Sequence, residues 1–332
     1  MNLIKRLIYM VGVLIGVSIL MFILVRIVPG DPIAAALGPL ATKEATKQIR
    51  HEMGLDQPIH IQYIIYVKDA LNGKLGYSLT ERRDVMEIIK EKFPATMELI
   101  LVSISLAVTL AIPLGILSAI HRNTFIDHIS RGIALFGVSF PSFWTGIMVQ
   151  LIFGLALGLI PITGRTSGIP PVNITGFFLL DSLLSLDFST FWNCLVHIVS
   201  PAVVLSLGPM ANITRLIRAE MIDQLSRPYI EASKASGMHG FIIYYKYMLK
   251  NALSSTLTMI GFLIPIMVGT AFVVEKVFAF PGIARFGADA IIANDFNGIM
   301  GVTLLICFMF VLINLIVDQL YVVLDPRIRI KR

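Results

Sequence analysis

Few residues of this 332-residue chain are spaced for chemistry. It has no Gly-x-x-x-x-Gly-Lys-Ser/Thr loop to cradle nucleotide phosphates, no Gly-x-Ser-x-Gly elbow to present a nucleophile and no His-Glu-x-x-His pair to hold zinc. Its two cysteines, Cys194 and Cys307, lie far apart and without partner spacing, so neither a disulfide nor a metal site is expected. No catalytic residue and no metal ligand can be named, and the chain is not expected to be an enzyme. The polar segment with the clearest design runs from Tyr229 to Gly237, flanked by basic residues and set between two long apolar runs. Pro228 suits the first turn of a helix and Gly237 a left-handed stop, so a short helix of about 9 residues is predicted between them. Beyond Gly237, residues Met238, Phe241, Ile242, Tyr245 and Leu249 recur at helical spacing. They predict an apolar face that lies along a membrane or docks on a partner.

The elements that must hold this segment are membrane spans. Hydrophobic residues make up 56% of the chain and charged residues 14%, and the mean hydropathy is +0.81, outside the range of soluble globular domains. Apolar runs long enough to cross a bilayer cover Ile8 to Ile27, Leu99 to Ile120, Ile133 to Ile160, Cys194 to Leu216, Ala252 to Val274 and Ile299 to Val323. The expected fold class is an all-α integral membrane protein with six transmembrane helices. Lys5 and Arg6 precede the first run, and Pro29-Gly30-Asp31-Pro32 follows it with no small-residue cleavage site, which predicts a signal anchor. The proposed inner pieces hold fourteen basic residues, among them Arg122, Arg131, Arg215, Arg218, Arg227, Lys246 and Lys250, against five acidic ones, Asp127, Glu220, Asp223, Glu231 and Asp325. The positive-inside rule then places both termini in the cytoplasm. The net charge of +6 reports topology, and no basic patch with interleaved aromatics points to nucleic acid.

Between the first two spans, residues 28–95 predict a small outer helical segment. Thr42 could cap a helix that stops at Gly54, Pro58 could begin another that stops at Gly73, and Val85, Ile88, Ile89 and Phe93 give a third an apolar face before Pro94. A second outer loop, Pro161 to Asn193, is rich in Gly, Pro, Ser and Thr, turns apolar at Phe177 to Leu186, and reads as a partly ordered lid. A third, Glu275 to Gly298, carries the turn Phe280-Pro281-Gly282 and then the helical spacing Ile283, Phe286, Ala290.

Ionisable groups are nearly absent from the spans. Arg26, Glu98 and Asp318 fall near span ends, where snorkelling or a local ion pair suffices, and His197 is expected to serve helix packing. No proton relay can be assembled from them. Most hydroxyls in the spans are expected to pack helices together, while Gln150, Asn212 and Thr258 are candidates to line a translocation path.

A six-span protein without a motor of its own could take its energy from a separate ATPase. Glu231-Ala232-Ser233 followed by Gly237 resembles the Glu-Ala-Ala-x-x-x-Gly loop of permease subunits from bacterial and archaeal ABC importers. Further segments resemble the dipeptide, oligopeptide and nickel permease family in its own order: Pro29-Gly30-Asp31-Pro32, Gly54-Leu55-Asp56-Gln57-Pro58, Gln62-Tyr63, Gly73 to Ser78, Asn251-Ala252-Leu253, Glu275 with Phe278 and Pro281-Gly282, and Asp325-Pro326-Arg327. Two positions depart from the pattern, Ser255 where a proline is usual and Glu231 where dipeptide relatives are often basic.

The resemblance implies the first permease subunit of an importer in the cytoplasmic membrane of a bacterium or archaeon. Its partners would be a homologous second permease, two ATPase subunits that use ATP and Mg, and an extracytoplasmic solute-binding protein. The cargo implied is a dipeptide or oligopeptide, with nickel or a metal chelate as the alternative; a secondary transporter working alone is the reading from another class. Under this resemblance residues 1–27 are the tail and first helix, 28–95 the outer segment and 96–332 the permease core. The coupling loop covers about 217–251, with Tyr229, Glu231, Ala232, Ser233, Gly237, Met238 and Phe241 as its contact residues. No cofactor is expected on this chain itself.

Overall fold

The computed structural model describes residues 3–27 and 56–324, most of them helical. They divide into two compact units, residues 1–96 with 281–311 and residues 97–280 with 312–332. In chain order the helices are α1 (Leu3–Ile27), α2 (Ile59–Leu71), α3 (Val85–Ile120), α4 (Phe125–Ser139), α5 (Ser142–Val149), α6 (Phe178–Leu184), α7 (Phe188–Leu225), α8 (Pro228–Ala235), α9 (Leu249–Val277), α10 (Ile283–Ile292) and α11 (Phe296–Leu324). Two π-helical segments, Gln150–Ala156 and Ile242–Met248, follow α5 and precede α9. Among the described residues four helices are long and apolar enough to cross a membrane: α3, α7, α9 over Ser255–Val277, and α11 over Phe296–Ile316. In α1 the described apolar stretch is Ile8–Leu24.

The predicted third span, a continuous run from Ile133 to Ile160, is corrected. The chain bends by 104° between α4 and the segment Ser142–Ala156, so this is a broken span or a re-entrant pair. Pro141 has no amide hydrogen to continue the helix, and it forces the preceding Phe140 into extended backbone at φ −107°, ψ 139°. A scan for apolar length is blind to that proline. A second correction concerns Pro94, expected to separate an outer helix from the second span. Instead α3 runs unbroken for 36 residues through Pro94. Burial of Val85, Ile88, Ile89 and Ala95 on both sides of the proline offsets the lost hydrogen bond.

In the first unit, Pro58 precedes α2 and Gly73 adopts φ +77° just beyond it, as expected from the sequence. Phe22 of α1 packs edge-on against Tyr63 with ring centroids 5.4 Å apart, and the Tyr63 hydroxyl lies 2.7 Å from that of Ser18. Tyr77–Ser78 and Arg83–Asp84 pair as a short antiparallel ribbon. Helix α10 buries Ile283, Phe286 and Ala290, the face its spacing predicts. Its Ile283 N–H donates to Thr96 Oγ1 at 2.8 Å. The predicted Thr42 helix lies outside the described residues.

In the second unit α7 is the central post, with α4, α5, α6 and α9 against it. Close approach is enforced by glycines where a Cβ would meet backbone or a branched side chain: 2.8 Å from the Leu207 carbonyl oxygen at Gly137, and 2.7 Å from Ile217 Cγ2 at Gly115. The loop over residues 161–193 is tied down by Arg165, which is buried against Glu98 at 2.5 Å, donates to the Gly176 carbonyl at 2.8 Å and lies 3.6 Å from the Phe178 ring centroid. Glu98 also accepts the Leu179 N–H at 2.7 Å. The local ion pair expected for Glu98 is therefore present, with a partner 67 residues along the chain.

Candidate functional site

The loop between α7 and α9 has the local build its sequence predicts. Pro228 opens α8, an 8-residue helix, and Gly237 follows it at φ +74°. The Gly237 N–H donates to the Lys234 carbonyl at 3.0 Å and the Met238 N–H to the Ser233 carbonyl at 3.2 Å. These two bonds form a Schellman cap, which satisfies the last carbonyls and turns the chain sharply away. Ile230 is fully buried and roots α8 to the body of the unit, whereas Glu231, Ala232, Gly237 and Met238 are exposed.

Tyr229 joins the two ends of the loop. Its hydroxyl donates to Gln224 Oε1 in the last turn of α7 at 2.6 Å and accepts from Asn251 Nδ2 in the first turn of α9 at 3.1 Å. Its carbonyl accepts the Ser233 hydroxyl at 2.8 Å, which braces α8 from within. Of the apolar face expected beyond Gly237 to meet a membrane or a partner, Met238, Phe241 and Ile242 are exposed, while a different set of side chains is buried within the unit. In the π-helical segment Ile242–Met248 hydrogen bonds skip five residues, so the buried side chains are Ile243 and Met248. Met238, Phe241 and Ile242 project outward, and the Phe241 and Tyr245 rings stack at 4.5 Å.

A residue that sequence reasoning weighed only as a topology charge organises the same side of the unit. Asp127, fully buried in the first turn of α4, accepts Arg218 Nε at 2.9 Å and Nη2 at 2.8 Å, a bidentate pair with α7. It also accepts the Ser118 hydroxyl of α3 at 2.6 Å and the Asn123 N–H at 2.9 Å. One carboxylate thus fastens α3 and α4 to α7 at Arg218, which lies ten residues before Pro228. The legible signal was Thr124-Phe125-Ile126-Asp127, a helix start with an acid at the third position, which often reaches back to the preceding backbone.

A cavity of about 250 Å³ lies among α4, α5, α7 and α9, lined by Phe140, Thr145, Pro209, Asn212, Met267 and Thr270 among others. Of the three predicted path residues it includes Asn212. There the Asn212 amide donates to the Gly208 carbonyl at 3.1 Å and accepts Arg215 Nη2 at 2.6 Å. Gln150 is placed elsewhere: its amide donates to the carbonyls of Ile162 at 2.7 Å and Val277 at 3.0 Å, so it binds the π-helical segment to the end of α9. Thr258 is half-buried on α9 and does not line the cavity. Thr145 and Thr270, which do line it, spend their hydroxyls on backbone carbonyls, of Pro141 just before α5 and of Ile266 within α9. The wall is therefore mildly polar, with hydroxyl and amide groups and no titratable side chain among its lining residues. His197 is buried with Nδ1 2.7 Å from the Asn193 carbonyl, a helix-packing role, and no cluster of metal-ligating residues occurs among the described residues.

Comparison with known proteins adds the family. The profile described as binding-protein-dependent transport system inner membrane component matches residues 111–330, and that of the N-terminal part of such membrane components matches residues 1–100. The chain is 40% identical over 321 residues to the probable D,D-dipeptide transport system permease protein DdpB of Escherichia coli K12, covering 96% of this chain and 94% of that protein. It is 37% identical to the dipeptide transport system permease protein DppB of Alkalihalophilus pseudofirmus, over 98% of each. In fold it is similar to a chain of the inward-facing MetNI methionine ABC transporter, with a TM-score of 0.52 at 18% identity, over 70% of this chain and 93% of that one.

Proposed function

This chain belongs to the binding-protein-dependent transport system inner membrane components, and on that premise we propose that it is a permease subunit of an ATP-driven peptide importer. It forms half of the translocation pathway for dipeptides or oligopeptides, which an extracytoplasmic solute-binding protein delivers. A homologous second permease completes the pathway, and two ATPase subunits using ATP and Mg drive it. The relatives' names support the cargo class, and the mild cavity wall suits it. Peptides need a wide path with scattered polar groups, whereas a bare metal ion needs ligands at fixed spacing.

The observation that carries the coupling role is Tyr229, hydrogen-bonded to both α7 and α9. A capped helix seated in an ATPase groove moves as a lever, and Tyr229 passes that motion to the two helices whose middle turns line the cavity. Tyr229→Phe removes both bonds and keeps the ring. Peptide uptake should then fall about threefold to fivefold, in keeping with roughly 1 kcal/mol of net hydrogen bonding, while membrane abundance stays unchanged. Unchanged uptake would exclude Tyr229 as the link.

Six crossings result if α1 and the bent pair α4–α5 each cross along with the four long helices. Both termini then lie in the cytoplasm, with residues 28–95 outside and the core from 96 to 332. In intact cells a membrane-impermeant thiol reagent should label Asn72→Cys and leave Ser236→Cys untouched; equal labelling would reverse or abolish this topology. The function itself is tested by uptake of labelled dipeptides and of nickel with and without the gene. Loss of dipeptide uptake is expected, and loss of nickel uptake alone would overturn the peptide reading.

A further inference from the structure

The second outer loop has an unusual surface. On α6 the residues Asp181 and Ser182 are fully buried while Leu180, Leu183 and Leu184, at helical spacing, are exposed. Phe188 and Trp192, one turn apart at the start of α7, are 67% and 65% exposed. Leu186, in the turn between the helices, is 75% exposed and has φ +55°. A leucine in left-handed backbone costs about 1 kcal/mol that glycine would avoid, and here the side chain gains no packing within the chain in return.

On the same stretch Asp181 and Ser182 are turned inward, whereas Ser185, Asp187 and Ser189 are exposed. Residues 166–193 contain two formal charges, Asp181 and Asp187. Asp181 accepts the N–H groups of Thr175 at 2.8 Å and Gly176 at 2.9 Å together with the Thr175 hydroxyl at 2.6 Å. Asp187 caps α7 through the Thr190 N–H at 3.0 Å and hydroxyl at 2.6 Å. The stretch thus presents leucines and aromatics beside one exposed carboxylate, that of Asp187, which is already hydrogen-bonded to Thr190; this mixture of apolar and polar surface suits a headgroup boundary, and the stretch is continuous with a helix long and apolar enough to span a bilayer.

We propose that α6, the Leu186 turn and the first turns of α7 form a membrane-interface anchor, with Leu184, Leu186, Phe188 and Trp192 seated at the boundary between lipid headgroups and acyl chains. The occupant is the bilayer. Aromatic residues at the end of a spanning helix favour that boundary, and a short amphipathic helix lies in its plane. The anchor holds the loop that Arg165 and Glu98 fasten to α3, so it sets the height of the loop at the outer mouth. This proposal rests on the reading that α7 crosses the membrane.

The test uses the assembled complex in phospholipid nanodiscs, with nitroxide labels on Leu184→Cys and Phe188→Cys and collision rates measured for oxygen and for a water-soluble nickel chelate. Leu110→Cys in mid-α3 is the membrane reference and Asn72→Cys the aqueous one. Both loop labels should collide with oxygen freely and with the nickel chelate at least about tenfold less than the Asn72 label. High nickel-chelate collision at the loop, with Leu110 behaving as lipid-exposed, would show a solvated loop and overturn the anchor while leaving the spans intact. Low collision with both agents would show a protein cover and overturn it equally. A Leu110 label that collides freely with the nickel chelate would remove the spanning reading and the anchor with it. The unmodified complex gives a second measurement, since a phospholipid with a diazirine near the head of its acyl chain should crosslink to residues 178–192. Crosslinks confined to other segments would refute the anchor.

Discussion

Asp127→Ala is expected to lower the amount of this subunit in the membrane severalfold and to reduce peptide uptake per remaining molecule by more than tenfold. Removing the carboxylate strands a largely buried guanidinium, Arg218, and leaves Ser118 and the Asn123 N–H without their acceptor. Breaking one side of a buried ion pair typically costs about 3–5 kcal/mol, and the partial exposure of Arg218 brings this to the low end of that range. Two effects are mixed in that single change, lost stability and lost coupling, and a double variant separates them. In Asp127→Ala with Arg218→Met no charge is stranded, so abundance should largely recover. The tie from α3 and α4 to α7 is still missing, so a motion begun at α8 would reach α7 without carrying the other two helices. Uptake should therefore stay low. Quantitative immunoblotting and uptake, measured on both variants, give the answer; recovery of uptake together with abundance would make Asp127 a purely structural residue.

The contrast between Asp127 and Gly237 marks what the sequence makes legible. Gly237, Pro228 and Pro58 act through their own backbone preferences, so a local reading finds the helix ends they set. Helix α10 was equally readable, because Ile283, Phe286 and Ala290 bury one side of a short helix at its natural period. Asp127 matters through Arg218, 91 residues away, and Glu98 through Arg165. Nothing in local spacing records such partners. The same holds for Gln150, whose amide was read as a path group because an amide in an apolar run needs a partner; two backbone carbonyls supply it. Apolar length alone likewise passed over Pro141, although its chemistry was in plain view. The π-helical turn at Ile242–Met248 was not legible, since a period of 3.6 residues does not single out Ile243 and Met248 as the side chains buried within the unit.

Gly237→Val should leave the subunit inserted and assembled while peptide uptake, and the ATP hydrolysis that transport stimulates, fall by at least about tenfold, equivalent to ~1.4 kcal/mol. An added Cβ at Gly237 meets no atom within 4 Å, so the substitution causes no collision. Its whole effect comes through φ +74°, which a β-branched residue resists. The backbone strain costs about 1–3 kcal/mol, small against the packing of the spans. The chain can escape that strain by continuing the helix past Ser236, which breaks the bonds from Gly237 to Lys234 and from Met238 to Ser233. Helix α8 would then point its exposed Glu231 and Ala232 in a new direction, and Met238 and Phe241 would swing with it. Gly237→Asn is the counterpart, because asparagine tolerates left-handed backbone and should keep most of the uptake. Membrane abundance, co-purification of the ATPase subunits and ATPase rate, measured together on both variants, distinguish a misaimed lever from a lost complex. Normal uptake with valine at this position would take the coupling role away from the loop; equal loss with asparagine would show that flexibility, and not φ, is what Gly237 supplies.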